Sequence, residues 1–343
     1  MAKRVKVKDI AEKCGLSNTL VSLVLNDKAS RHGIKPLTQE KVLLMARKMG
    51  YFQDQQPIQE KSDDIPPRSI VGMIIPDFNN QFLFETGSLL DKAFSSIGIT
   101  FSMVSENENE QRFTLIMNDL KKLYNGVILY GNAAGDSLVR KLKAANYPFV
   151  VLEKKIDGHR VNEIGTNIPE ACKLVADHIL ALGYKKIALV AQKYAPDGLV
   201  RPGLLIDTLH NTIPGLSTSR LQVRANLMTG EIDPDEIIDA LLPPDAVQLL
   251  LVENSAMVYP LISLLKMKNI RVPADVAIIA MDEGSGFSLL DPPVTRIRRN
   301  TPALALKTSQ MLWTEVKNKG KSKYKRSVTV SPELIIGRSC GAI

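Results

Sequence analysis

Apolar positions in the first fifty residues recur at helical spacing, whereas from Ser69 onward they gather into short runs separated by amphipathic stretches. Lys8 to Cys14 puts Ile10, Ala11 and Cys14 on one face, and Gly15-Leu16-Ser17 then supplies a helix-ending glycine and a new N-cap. From Ser17, the stretch SNTLVSLVLN gathers Leu20, Val21, Val24 and Leu25 on one face and turns Asn18, Thr19, Ser22 and Leu23 elsewhere. A third helix is predicted from Thr38 through Val42, Leu43, Met45, Ala46 and Met49 to Gly50. The result is a small three-helix module whose second helix follows a tight turn.

The remainder alternates strands and helices. Ile70 to Ile75, Gly126 to Tyr130, Pro148 to Leu152, Lys186 to Ala191, Val247 to Val252 and Val276 to Ala280 are apolar runs of strand length. Helical stretches lie between them at Thr86 to Ile97, Glu110 to Leu123, Ile168 to Gly183 and Ser255 to Lys268. This alternation predicts parallel sheets covered on both faces, which bind ligands beyond the carboxyl ends of their strands. Asp77, Glu153, Asn254 and Asp282 fall at those ends.

Charge singles out the small module. Met1 to Tyr51 holds eleven Lys/Arg against four acids, a net +7 out of a chain total of +8. That is the footprint of phosphate-backbone binding, although charge alone fits a solvated basic surface equally well. The basic run Lys317 to Arg326 reads as a solvated loop. No apolar run reaches membrane-spanning length, and Met1 to Ile10 lacks the apolar stretch of a secretory signal, so a cytoplasmic protein without membrane association is expected. Cys14, Cys172 and Cys340 have no metal-ligand spacing, the four histidines are not paired on a helical face with an acid, and no nucleotide-binding, nucleophile-elbow or zinc-hydrolase signature occurs. An enzyme is therefore not expected, nor a cofactor or metal.

VKVKDIAEKCGLSNTLVSLVLN followed by TQEKVLLMARKMGY resembles the headpiece of the lac repressor family of bacterial regulators. PDFNNQF, NGVILYG, PFVVLEKK, HILALGYKKIALV, NIRVPADVAIIAMDE, PPVTRIRRN and PELIIGRS are similar, in order, to landmarks of that family's sensor domain. The resemblance implies a helix-turn-helix headpiece over residues 1–54, a linker over 55–68 and a ligand-binding and dimerisation domain over 69–343. That last domain is expected to be a two-lobed α/β body of the periplasmic-binding-protein type, with two parallel sheets and three crossover strands. Its lobes are expected at about 69–160 with 291–323, and about 161–290 with 324–343.

By the same resemblance the start of the second helix reads bases, which carries over to Asn18 and Thr19, with Ser22 on a phosphate. Their chemistry agrees, since an amide can bond adenine and a hydroxyl can serve base or phosphate. Lys3, Lys6, Ser17, Leu23 and Asn26 complete the expected DNA-binding set. Leu23 stands where the family usually carries arginine, which exchanges a charged donor for a possible thymine-methyl contact. Pro57 and Glu60 fall where the family has an apolar hinge helix, so the connector reads as a flexible linker ending near Pro67. The implied effector cleft comprises Asn80, Phe82, Glu153, Arg201, Asn254 and Asp282, a set able to bond sugar hydroxyls and pack on a sugar ring. The expected partners are operator duplex DNA, a small carbohydrate-like effector and a second copy of the chain. With the sequence ending soon after Pro332 to Ser339, a dimer is expected rather than a tetramer built on an extra leucine-rich helix, and repression is expected rather than activation. The alternative is a regulator whose degenerate cleft answers to a non-sugar metabolite or a protein.

Overall fold

The computed structural model describes residues 6–25, 34, 36–49, 69–76, 81–105, 120, 122–133, 135–192, 202–226, 231–243, 246–322 and 324–342. The chain forms two compact units, Met1–Ile65 and Pro66–Ile343.

In the first unit, α1 (Val7–Cys14), α2 (Asn18–Leu25) and α3 (Pro36–Lys48) pack around Ile10, Ala11, Cys14, Val21, Val24, Val42 and Ala46. Gly15 ends α1 in the left-handed region at φ 66°, a conformation that costs glycine nothing, and the Leu16 N–H returns to the Ala11 carbonyl at 3.0 Å. Lys41 Nζ reaches across from α3 to donate to the Cys14 carbonyl at 3.0 Å, satisfying another orphan acceptor of α1. The third helix begins at Pro36, before the expected Thr38, because proline at a first helical position gives up only an N–H that would be orphaned anyway.

The second unit contains two six-stranded sheets. The first runs β11 (Ser327–Val330), β5 (Glu163–Thr166), β4 (Phe149–Leu152), β3 (Gly126–Tyr130), β1 (Ile70–Ile75), β2 (Thr100–Ser105), all parallel. The second runs β12 (Glu333–Ile335), β10 (Thr295–Arg298), β9 (Ala277–Ala280), β8 (Leu249–Val252), β6 (Lys186–Gln192), β7 (Ser217–Val223), parallel except for the β12 edge. Helices α4 (Gln81–Ser95), α5 (Asp136–Ala144), α6 (Ile168–Leu182), α7 (Pro202–Thr212), α8 (Val258–Met267) and α9 (Thr301–Lys317) complete the layers. The central strands β1, β3, β4, β8 and β9 are buried almost throughout, as parallel strands covered on both faces must be.

The chain passes between the lobes three times: from β5 into α6, from β10 into α9, and from β11 into β12. Each passage follows a mixed polar strand, β5, β10 or β11, whose end no apolar run marks. The first two passages are built alike. Asn167 Oδ1 accepts the Glu170 N–H and Asn300 Oδ1 accepts the Ala303 N–H, and proline sits in the first turn of each following helix. In the PELIIGRS landmark, a Cβ on Gly337 would meet the Pro293 carbonyl oxygen at 2.3 Å, so only glycine allows the backbones to approach there. Ser339 Oγ then donates to the Ile278 carbonyl at 2.7 Å and accepts the Thr295 N–H at 2.9 Å, stitching the C-terminus to two strands.

One buried polar knot fastens α9 to its lobe. Glu315, 2% exposed, accepts from Asn162 Nδ2 at 2.7 Å and Lys325 Nζ at 2.6 Å, while Asn162 Oδ1 takes the Arg326 N–H at 2.9 Å. Glu315→Ala strips partners from both neighbours, so a loss of about 2–4 kcal/mol is expected in urea unfolding; a loss below about 0.5 kcal/mol would place the knot among ordinary surface pairs. Among the described residues no helix is long and apolar enough to cross a membrane.

Candidate DNA interface and effector cleft

Exposed charge and exposed neutral polar groups fall on different helices of the headpiece. Helix α2 carries no charged side chain. Val21 and Val24 are buried, Asn18 and Thr19 are exposed, and Ser22 and Leu23 are half-buried, in keeping with the division its spacing predicts. Ser17 Oγ accepts the Leu20 N–H at 3.2 Å and so caps the helix, yet its hydroxyl proton remains available to a phosphate. No acid occupies the first turn of α2, which leaves the positive end of the helix dipole open to an anion. Lys6, Lys8 and Lys13 are exposed on α1 and its N-terminal flank. Asp9 spends its charge locally, accepting the Lys6 backbone N–H at 2.7 Å. A neutral donor-acceptor face suits base edges, and exposed lysines suit phosphates. Lys3 and Asn26 lie outside the described residues.

In the second unit the carboxyl ends of β3, β4 and β9 converge on one arginine that the sequence does not single out. Arg299, 5% exposed, follows β10 at the second passage between lobes. Its Nε donates to Asp282 Oδ1 at 3.0 Å and its Nη2 to Asp282 Oδ2, a bidentate pairing with a residue just beyond the end of β9. On the side of the first lobe, Nη1 lies 3.6 Å from Glu153 Oε2 and 3.5 Å from the Tyr130 hydroxyl, and the guanidinium stacks 4.1 Å from the centre of the Phe82 ring. Phe82 in turn packs against Tyr130, ring centres 5.9 Å apart. Glu153 holds a left-handed backbone at φ 60°, uncommon for a residue with a side chain. Its Oε1 accepts both the N–H and the hydroxyl of Thr166 at 2.9 Å.

Electrostatics follow from burial. Desolvation pushes the Glu153 carboxyl up and outweighs the opposing pull of Arg299 and Thr166. Burial likewise raises the Tyr130 phenol. Burial alone would lower the Arg299 guanidinium, but Asp282, Tyr130 and Glu153 outweigh it and hold it well above its usual value. Arg299 therefore remains a cation at the buried junction of the two lobes.

Of the expected cleft residues, Phe82, Glu153 and Asp282 meet around this guanidinium. Asn254 stands apart from it; its Oδ1 accepts the Ala256 N–H at 3.0 Å and caps the short turn after β8. Asn80 and Arg201 lie outside the described residues. Sequence reasoning misses Tyr130 and Arg299, although three arginines in TRIRRN at the end of a strand are a visible cue. Arg296 is buried too, paired with Glu283 at 2.5 Å.

The described residues thus form a three-helix module with two helices joined by a tight turn, and a two-lobed α/β body whose strand ends meet at Arg299. Residues 176–340 match the profile of a periplasmic binding protein-like domain. The chain is 22% identical to the HTH-type transcriptional repressor PurR of Photobacterium profundum, across 97% of this chain and 98% of that protein. Its fold matches the lac repressor dimer bound to operator and the anti-inducer ONPF, with TM-score 0.63 and 21% identity over 98% of this chain and 99% of that one. It also matches a LacI family transcriptional regulator from Enterococcus faecalis V583 with bound ribose, with TM-score 0.66 and 17% identity over 79% of this chain and 98% of that one. The chain is a homologue of HTH-type transcriptional regulators and has the fold of the lac repressor family.

Proposed function

We propose that this chain is a sequence-specific transcriptional repressor that binds operator DNA as a homodimer and is controlled through the cleft between its lobes. Residues 1–54 bind DNA, 55–68 connect, and 69–343 sense and dimerise. The exposed Asn18–Thr19 face of α2, set in the segment that carries nearly all the net positive charge, is the observation that carries this reading. In a two-fold dimer each headpiece takes one half-site of a near-palindrome. Lys3, Lys6, Ser17, Ser22 and Asn26 hold phosphates while Asn18, Thr19 and Leu23 face bases. The full-length similarity to a repressor and to an operator-bound dimer supports it.

The test is selection of bound sequences from random duplex DNA, followed by affinity measurement with Asn18→Ala. A loss of about 1–3 kcal/mol confined to the selected site is expected for a base-reading amide. Equal affinity and specificity in the two proteins would remove Asn18 from readout.

Cleft occupancy has two readings. The ribose-bound relative supports a carbohydrate-like effector at Asn80, Phe82, Glu153, Arg201, Asn254 and Asp282. Arg299 favours the other, a degenerate cleft that answers to a different class of ligand, because it already engages three of those six residues, Asp282, Glu153 and Phe82.

A further inference from the structure

The geometry points to Arg299 as a built-in occupant of the effector cleft, a tethered cation that takes the positions a ligand would need and excludes neutral monosaccharides. The inference deepens the second reading of the cleft and rests on the cleft being the control site. Among the described residues, Asp282, Glu153 and Phe82, which could grip a sugar, are already engaged. Asp282 spends one oxygen on Arg299 Nη2 and the other on Arg299 Nε and the Glu283 N–H. Glu153 divides its oxygens between Thr166 and Arg299. The Phe82 face, the natural platform for a sugar ring, is covered by the guanidinium at 4.1 Å.

Charge explains why a neutral ligand does not displace this side chain. Asp282 and Glu153 are both buried, and Arg299 is the cation between them. Swinging the guanidinium out in favour of hydroxyl groups would take from two buried carboxyl groups the only counter-ion that the described residues give them, and each would then bear the cost of desolvated charge or of taking up a proton, an exchange that hydroxyl bonds do not repay. The tether strengthens the exclusion, since a covalently attached group competes at a high effective concentration. Arg299 also bonds Asp282 of the second lobe on one side and touches Tyr130, Glu153 and Phe82 of the first lobe on the other, as a bridging ligand does in a two-lobed binding protein. The arginine thus ties the two lobes together from within the chain.

Thermal melting tests this with the full chain, with Arg299→Ala, and with three probes: ribose, glucose and ethylguanidinium, the detached head of the arginine side chain. The wild-type Tm is expected to move by less than about 1 °C with any probe at about 10 mM. Arg299→Ala is expected to melt about 5 °C or more below wild type. Ethylguanidinium should recover part of that loss in the variant, and ethylammonium less, because only the planar fork fits Asp282 in bidentate fashion. A wild-type Tm raised by ribose or glucose, an Arg299→Ala chain that melts with wild type, or an ethylguanidinium effect equal in the two proteins would each overturn the inference. If Arg299→Ala does not fold, the wild-type sugar titrations decide alone. None of these readouts involves DNA, so failure to bind DNA would count against the regulator reading and leave this result intact.

Discussion

Asp282→Ala is expected to lower the stability of the second unit by about 3–5 kcal/mol, the cost of leaving a buried charge without its partner. The side chain lost is small, and a core carboxylate contributes little apolar area. The effect arises instead on Arg299, which would be left with Glu153 at 3.6 Å, the Tyr130 hydroxyl at 3.5 Å and the Phe82 ring to balance a cation that cannot release its proton. Asp282→Asn should fall between, because the amide oxygen still accepts from the guanidinium although the charge is gone. Guanidinium chloride would itself compete for the site, so urea is the denaturant of choice. A loss below about 1 kcal/mol for the alanine variant would mean that the pairing is solvated and that the cleft is not organised around Arg299. Response to any effector that binds this cleft should be lost in the same variant.

The same arginine marks where sequence reading stops. The headpiece was legible because its information is local: Ile10, Ala11 and Cys14 specify α1, Gly15 can only end it, and Ser17 caps the next helix. Central strands such as β1 and β8 were legible because strands buried on both faces read as unbroken apolar runs. Edge and passage strands were not. Thr100–Ser105, Ser217–Val223, Thr295–Arg298 and Ser327–Val330 are polar or mixed and give no clear period. Helix α4 starts at Gln81 rather than Thr86, since Phe82 and Leu83 are buried in its first turn instead of belonging to the preceding loop.

The candidate cleft followed the same rule. Glu153 and Asp282 could be placed because each ends an apolar strand, and the resemblance supplied Phe82. An arginine beside other arginines reads as surface charge until the fold brings it to Asp282, 17 positions earlier, and Tyr130, 169 positions earlier. No local pattern encodes partners so distant. Nor does spacing tell a cleft whose carboxylates await a ligand from one whose carboxylates are already bonded to the chain itself.

The second large effect concerns the headpiece. Residues 1–51 hold a net +7 of the chain's +8, so the rest is close to neutral and has little with which to displace counter-ions from a phosphate backbone. The two compact units have separate cores, so the sheets of the second are expected to fold without the first. The most direct measurement is fluorescence anisotropy of a duplex carrying the selected operator, titrated at several salt concentrations with the intact chain and with a chain lacking residues 1–54. The intact chain should bind with a steep salt slope, and the shortened one should lose affinity by a factor of about 10³ or more with little slope remaining. Equal affinity and selectivity in the two proteins would contradict the assignment of DNA recognition to the face of α2.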